Sequence, residues 1–368
     1  MLKVFEAFSG VGAQHMALRN LKENYKIVAT SDIDSQEILS YYYVHGNGKK
    51  HDGRITTIKK REYLNKIGIE SEKKINSLDE KSLNQLYDAV TVCNNLGDIT
   101  KIDTSEIPDH DLFTYSFPCQ DISSVGTRKG LDIGSGTRSS LLWECQRIIE
   151  QKKPKYLLLE NVKNFTTGKN KKNFEKWLEY LESQGYDNYW KIFDAKDYGI
   201  PQRRPRVIVV SKYGKSKTDL VKTNDVINVS INKIIDNEQN DWKPFKAKAE
   251  IKGTVKKGKV AFLDDRDWKI NGVMISDVCS TQRAGRTGLK LIKNDDGMLF
   301  ERKLNSLECC RLMGFSDKDY KNMKNGGLSD MAIMKICGNS IVVPVLENVF
   351  KNIFEEETLW MDYLYSQM

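Results

Sequence analysis

The sequence predicts an α/β fold, with a mostly parallel sheet in a large first domain and a second, smaller, basic domain. Three observations carry this. Apolar strand-like runs alternate with helix-periodic runs from Leu2 to Ser211, the pattern of strands joined by crossover helices. The first such strand runs directly into a glycine turn, S-G-V-G, and then a helix. The alternation breaks after Lys212, and a chain of 368 residues is longer than one compact core usually supports.

Each element follows in order. Leu2–Phe8 alternates and is apolar, and AQHMALRNL beyond the glycines has helical spacing. YKIVATSDID reads as a second strand ending in acids. Residues 46–89 are lysine-rich with helical stretches and read as an insertion. IPDHDLFTYSFPC gives another buried strand, with Cys119 at its end. SLLWECQRIIEQKKPKYLLLENV is a helix followed by a strand ending at Glu160. NFEKWLEYLESQGY is an amphipathic helix closed by Gly185, and RVIVVS is a strong strand. Lys212–Phe300 holds short, mixed segments with 15 Lys and 3 Arg against 10 Asp and 2 Glu, most of the chain's net charge of +8. MKICGNSIVVPVLENVFKNIF reads as strand or turn, then helix. The expected division is a first domain over 1–211, a small basic domain over 212–300, a hinge over 301–337, and a segment over 338–368 that returns to the first domain.

Composition narrows the function classes. At 39% hydrophobic and 29% charged, with mean hydropathy −0.54 and no long uncharged apolar run, the chain reads as a globular protein with no membrane span. Its first residues go straight into a strand, so no signal peptide is expected. Seven scattered cysteines lack C-x-x-C spacing, and four histidines add no ligand pattern. Hence the expectation is a reducing compartment, no disulfide frame and no metal site. The basic balance permits a polyanionic partner without demanding one.

Five stretches carry chemistry. In FEAFSGVGAQ, Gly10 and Gly12 let a ligand approach the backbone, but His15 stands where a dinucleotide fingerprint wants a small residue. A nucleoside ligand without a pyrophosphate fits better, with Asp32 placed to hold ribose hydroxyls. On this stretch alone a plain tight turn fits equally well. Cys119 follows Pro118 at a strand end among polar residues, which tilts it from packing toward nucleophilic work. Glu160 ends an apolar strand, where partial desolvation raises a carboxyl and readies it to engage a ring nitrogen; a helix-capping acid is the alternative. In YGIPQRRPRVIVV, Arg204 and Arg206 alternate around Pro205, so both can point to one face. GTRKGLDIGSGTRSS, residues 126–140, is glycine-rich and basic and reads as a lid, or else as a surface loop.

Taken together and in order, these stretches resemble the DNA (cytosine-5)-methyltransferase family. FEAFSGVGAQ, SDID, GDIT, SFPCQDIS, ENVKNF, DYGIPQRRPRV, RKLNSLECCRLMGF and GNSIVVPVL stand at the family's motif positions, and within it the chain is most similar to mollicute-type bacterial CpG methylases. Ala13 departs from the family, which often has glycine there. The resemblance implies an S-adenosylmethionine-dependent methyltransferase (Rossmann-like) fold, with Lys212–Phe300 as the target-recognition domain. It implies Cys119 as the thiolate that adds to C6 of a flipped cytosine, Glu160 at N3 and the exocyclic amine, Arg206 at the base carbonyl and Arg204 in support. S-adenosylmethionine, leaving as S-adenosylhomocysteine, would be held by Phe8, Ser9, Gly10, Val11, Gly12, Asp32, Ile33, Asp98, Ile99, Pro118, Leu141, Asn339, Ser340 and Ile341. Gln120, Ser123, Asn161 and Gln202 would meet substrate DNA. Arg283 and Arg286 are candidates for reading guanine in the major groove, or for binding phosphate.

The implied partner is double-stranded DNA, with no membrane. A pairing with a restriction endonuclease is open, the default state is a monomer, and the implied location is the bacterial cytoplasm at the nucleoid. Two other readings stand beside this one. Transfer RNA methylation on the same fold usually carries a Cys-Phe-Thr tripeptide, absent between Asn161 and Gln202. A non-catalytic DNA-binding homologue would typically lack the cysteine or the glutamate.

Overall fold

The computed structural model describes the chain except residues 52, 54, 119–140, 224–226, 228, 248–249, 265–271, 285–288 and 368, and the side chains of 360–367. The chain folds as two units. One contains Met1–Phe193, Pro205–Asn224 and Leu346–Met368; the other contains Asp194–Arg204 and Asp225–Val345.

Strands β1 (Leu2–Ala7), β2 (Tyr25–Ser31), β3 (Leu112–Tyr115), β4 (Tyr156–Val162) and β5 (Tyr186–Asp194), with β6 (Gln202–Arg203) and β7 (Pro205–Tyr213), make up the chain's first half. All but β6 form one six-stranded sheet in the order β2-β1-β3-β4-β7-β5. The pairs β1/β2, β1/β3 and β3/β4 are parallel, as the α/β alternation predicts. β7 runs antiparallel to β4. The reason is the short link from β5: it holds one 3-10 turn, Ala195–Asp197, and no helix that could make a parallel crossover. β3 is buried at every position, and β4 at all but its last. Strands covered on both faces read as continuous apolar runs, which is why they are visible in the sequence. The core joins Phe5, Phe113, Tyr115, Leu157 and Leu159 to Ile148, Trp177 and Leu181 from the helices.

The helices of this unit are α1 (Ala13–Leu21), α2 (Ser35–His45), α3 (Thr57–Lys66), α4 (Glu72–Ser77), α5 (Glu80–Val92), α6 (Leu142–Lys152) and α7 (Lys171–Ser183). The stretch read as an insertion is α3 to α5 with its own core: Leu64, Ile69, Ile75, Leu83, Leu86 and Val90 pack with Ile38 and Tyr42 of α2.

The second unit holds an antiparallel-rich sheet. Its strands are β8 (Lys243–Pro244), β9 (Ile251–Lys252), β10 (Val260–Asp264), β11 (Val273–Ser276), β13 (Lys290–Asp295) and β14 (Met298–Lys303), ordered β8-β14-β13-β10-β11-β9. β12 (Cys279–Ser280) pairs instead with β6. Helices α8 (Ser306–Arg311), α9 (Asp317–Asn325) and α10 (Asp330–Asn339) follow. The expected boundaries therefore shift. Residues 301–337 are part of this unit rather than a separate hinge, and the chain rejoins the first unit at Leu346, inside α11 (Val343–Gln367), rather than at 338. The stretch expected as strand or turn before that helix is largely α10. On α11, Glu356 meets Lys212 Nζ at 2.5 Å, with both side chains buried. Among the described residues no single helix is long and apolar enough to cross a membrane.

Candidate active site

The strand ends of the first unit gather the candidate residues. After β1, Phe8, Gly10 and Gly12 all adopt left-handed backbone, with φ of 54°, 52° and 78°. Glycine is required at the last of these. A Cβ on Gly12 would stand 2.6 Å from the Tyr41 ring and 2.7 Å from His45 Nε2. Ala13 opens α1 and has no positive φ, so alanine fits where the family often has glycine. The turn is tied to the end of β2: Ser9 N donates to Ser31 O at 3.1 Å, and Gly10 N donates to Asp32 Oδ2 at 2.8 Å. Asp32 Oδ1 accepts from the backbone N–H of Ile33 and Asp34. Burial lifts the Asp32 carboxyl above its ordinary value, against these N–H bonds. Ile33, next along, is 48% exposed.

A layer beneath this turn was not visible in the sequence. Glu6 on β1 is fully buried and accepts a 2.6 Å hydrogen bond from Tyr41 Oη, which also meets His15 Nδ1 at 3.0 Å. His15 stacks on His45 at 3.9 Å between ring centroids. His45 Nε2 lies 3.1 Å from Val11 O; a carbonyl only accepts, so His45 carries its proton on that nitrogen. Burial pushes the Glu6 carboxyl up to about 7 and pulls His15 down to about 3, and it holds His45 well below the usual range, so the stacked rings are neutral. His15, odd in a glycine turn, was the only sequence signal of this layer.

The GDIT turn is held to the same strand end. Asn95 Oδ1 accepts from both Asp32 N and Gly97 N, and Ser31 Oγ donates to Gly97 O at 2.7 Å. Asp98 Oδ1 caps Thr100, and Ile99 is buried.

β3 leads through Ser116 and Phe117 to Pro118; Cys119, Gln120 and Ser123 lie outside the described residues, as does the 126–140 stretch. Glu160 on β4 is 7% exposed, and its Oε1 lies 3.1 Å from Arg206 Nε. Register explains the pair. Arg206 sits directly opposite Val162, and Glu160 is two positions away on the same strand face. Asn161, expected to meet DNA, is instead buried: its Nδ2 donates to Phe117 O at 3.1 Å and its Oδ1 accepts from Val162 N. It fixes the peptide leading to Cys119. Leu141 caps α6 against the core.

In the second unit, Arg204 corrects the idea that it shares a face with Arg206. Its guanidinium is buried and donates to three carbonyls, Gln282 O at 2.8 Å, Gly338 O at 2.9 Å and Ser340 O at 2.6 Å. Gln202, also expected at DNA, is fully buried and spends its amide on Leu312 O and Gln282 N. Asn339 ends α10, Ser340 caps it and Ile341 is buried. Arg283 lies half-buried just beyond Gln282, while Arg286 is outside the described residues.

A mostly parallel sheet with a glycine turn after its first strand and a fixed acid after its second is a methyltransferase-type α/β fold. The C-5 cytosine-specific DNA methylase family matches residues 67–355, and the chain belongs to that family. It is 39% identical to the type II methyltransferase M2.ScrFI of Lactococcus lactis subsp. cremoris, over 97% of this chain and all of that one. It is 31% identical to the orphan methyltransferase M.SssI of Spiroplasma monobiae, over 96% of this chain and 97% of that one. In fold it is similar to the Dnmt2 methyltransferase of S. pombe, with a TM-score of 0.59 at 19% identity, covering 97% of this chain and 99% of the other. The protein is a DNA (cytosine-5)-methyltransferase by class.

Proposed function

We propose that the enzyme flips a cytosine out of duplex DNA and methylates it at C5 through a covalent bond from Cys119 to C6. The observation that carries this reading is the pairing of buried Glu160 with the partly buried Arg206, next in sequence to Asn161, which anchors the peptide ahead of Cys119. C5 of cytosine is a poor nucleophile. Addition of the Cys119 thiolate at C6 makes C5 enamine-like. Glu160, engaging N3 and the exocyclic amine, stabilises the charge that develops on the ring, while Arg206 holds the base carbonyl and keeps Glu160 oriented. Loss of the C5 proton then returns the electron pair and expels Cys119.

S-adenosylmethionine, when bound, supplies the electrophilic methyl group. The residues present fit it. Gly10 keeps the turn bare, Gly12 lets it pack on Tyr41 and His45, Asp32 is a pinned acceptor for ribose hydroxyls, and Ile33 offers an apolar face. Asp98 and Ile99 would hold the adenine. Arg204 supports the reaction at one remove, by ordering Gly338–Ser340 and Gln282. The second unit would read the target, with Arg283 and Arg286 at the base edges. The names of its relatives favour a restriction-modification or orphan enzyme; we propose that it acts on DNA as a monomer in the bacterial cytoplasm.

The test uses tritiated S-adenosylmethionine, the pure protein and mixed DNA, followed by bisulfite sequencing. Protected cytosines in one recurring short context are expected. Transfer to tRNA but not DNA, or to neither, would overturn the proposal. Exchanging Lys212–Phe300 for a relative's region should change the context methylated; an unchanged target would place the reading elsewhere.

A further inference from the structure

The stretch between α3 and α4 does more than bridge two helices. Its turn, Ile67–Glu70, carries left-handed backbone at Gly68 (φ 77°) and Glu70 (φ 54°), which brings its two ends against two other segments. At one end, Asp98 N donates to Ile67 O at 2.8 Å. The approach is so close that a Cβ on Gly97 would stand 2.1 Å from Ile67 O, and one on Gly68 would stand 2.9 Å from Asp98 Cβ. At the other end, Glu70 N donates to Ile33 O at 3.1 Å. The Glu70 carboxylate then takes Ser35 N at 2.8 Å, Ser35 Oγ at 2.6 Å and Lys74 Nζ at 2.5 Å. Burial would raise this carboxyl, but the bonds from Lys74 and Ser35 outweigh it and hold it below its ordinary value, so Glu70 is a carboxylate at neutral pH. Ile69, between the two ends, is buried in the core of α3 to α5, so the turn cannot drift.

The geometry points to this turn as the adenosine-side wall of the cofactor site, with Glu70 as a positioning residue for S-adenosylmethionine. The inference rests on the reading that Asp32, Ile33, Asp98 and Ile99 hold the cofactor. Its physical content is separate from that reading. Direct ties between β2 and the GDIT turn, through Asn95 and Ser31, end at Asp32. Beyond that point, the 48%-exposed Ile33 and the first turn of α2 are held by Glu70. Without the Glu70 carboxylate, the Ser35 N–H and hydroxyl lose their acceptor, and the start of α2 gains freedom that a bound nucleoside must then remove. The α3 to α5 segment thus contributes to cofactor affinity without supplying a group to the reaction.

The experiment titrates S-adenosylhomocysteine into the full chain by calorimetry. It compares the parent with Glu70→Gly, Glu70→Gln and Asp32→Asn. Glu70→Gly keeps the left-handed backbone accessible while removing the side chain, and Glu70→Gln keeps the side chain while removing its charge. The expected loss is about tenfold in Kd for Glu70→Gly and a smaller loss for Glu70→Gln, which still accepts from Ser35. The melting temperature of the free protein and its Kd for duplex DNA should hold. If the Glu70 variants bind like the parent while Asp32→Asn binds weakly, the inference falls and the cofactor reading stands. If Asp32→Asn also binds like the parent, that reading falls and the inference with it. If melting temperature and DNA affinity drop together with cofactor affinity, the turn is plain scaffold and the inference is overturned.

Discussion

The two six-stranded sheets are built on opposite plans. In the first, the central strands β3 and β4 are buried almost throughout, so polar chemistry has room only where a strand ends. Gly10, Asp32 and the approach to Cys119 stand beyond such ends, and Glu160 lies two residues short of the end of β4. In the second, β11, β13 and β14 each mix buried with partly or fully exposed positions, and large side chains such as Met274 and Met298 face solvent. A sheet of the first kind fixes its site by continuous packing. One of the second kind leaves many surface positions free to change without touching its core, which fits the target-reading role proposed for it.

Four substitutions would break or sharpen that contrast, in descending order of effect. Cys119→Ala should cut methyl transfer by on the order of 10⁴-fold or more, measured with tritiated cofactor, while DNA binding by gel shift persists. Glu160→Gln should lower turnover by roughly 10²- to 10³-fold with little change in melting temperature, since the amide still accepts from Arg206. Arg204→Ala belongs to the other plan. Three carbonyls, the one of Gln282 fully buried and those of Gly338 and Ser340 partly, lose their donor, so stability in urea should fall by about 2–4 kcal/mol. Lysine should rescue little, because an ammonium cannot reach three acceptors as a planar fork does. An Arg204→Ala protein as stable as the parent would remove the support role.

Glu6→Gln gives the smallest effect and the most particular one. The Glu6 carboxyl is raised from 4.5 to about 7, so the folded state holds a proton that the unfolded chain has lost. Its contribution is therefore present below pH 4.5 and disappears as pH rises to about 7. His15, lowered from 6.5 to about 3, acts with the opposite sign: its contribution is present above pH 6.5 and is lost as pH falls toward 3. Glutamine removes only the first of these. Relative to the parent, Glu6→Gln should thus gain stability between pH 5 and pH 7.5, by on the order of 2 kcal/mol, in paired thermal melts. A difference that stays flat with pH would mean Glu6 is ionised in the fold.

Much of the first unit was legible because continuous apolar runs and a glycine turn are local signals. The end of β2 at Asp32, the long helix α7 before Gly185, and Glu160 on β4 all came from such runs. The rest is written in contacts that local sequence does not carry. Arg204 takes carbonyls 78 and 136 residues away, so nothing in Q-R-R-P-R says which arginine is structural. The resemblance placed Asn161 and Gln202 at substrate DNA; in the structure both side chains are buried and bonded within the protein. The second sheet was illegible in detail, since β8 and β9 have only two residues each and leave no periodicity to read. The layer of Glu6, Tyr41 and His45 joins β1 to α2, and its members look like unrelated core residues until the turn above them is built.

The pairing of Lys212 with Glu356 has a consequence for how the protein is made. Ile353 and Phe350, on the same helix, are wholly buried, and they close a unit whose first strand begins at Leu2. A ribosome must therefore translate the whole second unit before the first can close. Until α11 is made, Lys212 lacks its buried partner and the first unit lacks part of its core, so activity waits on that helix.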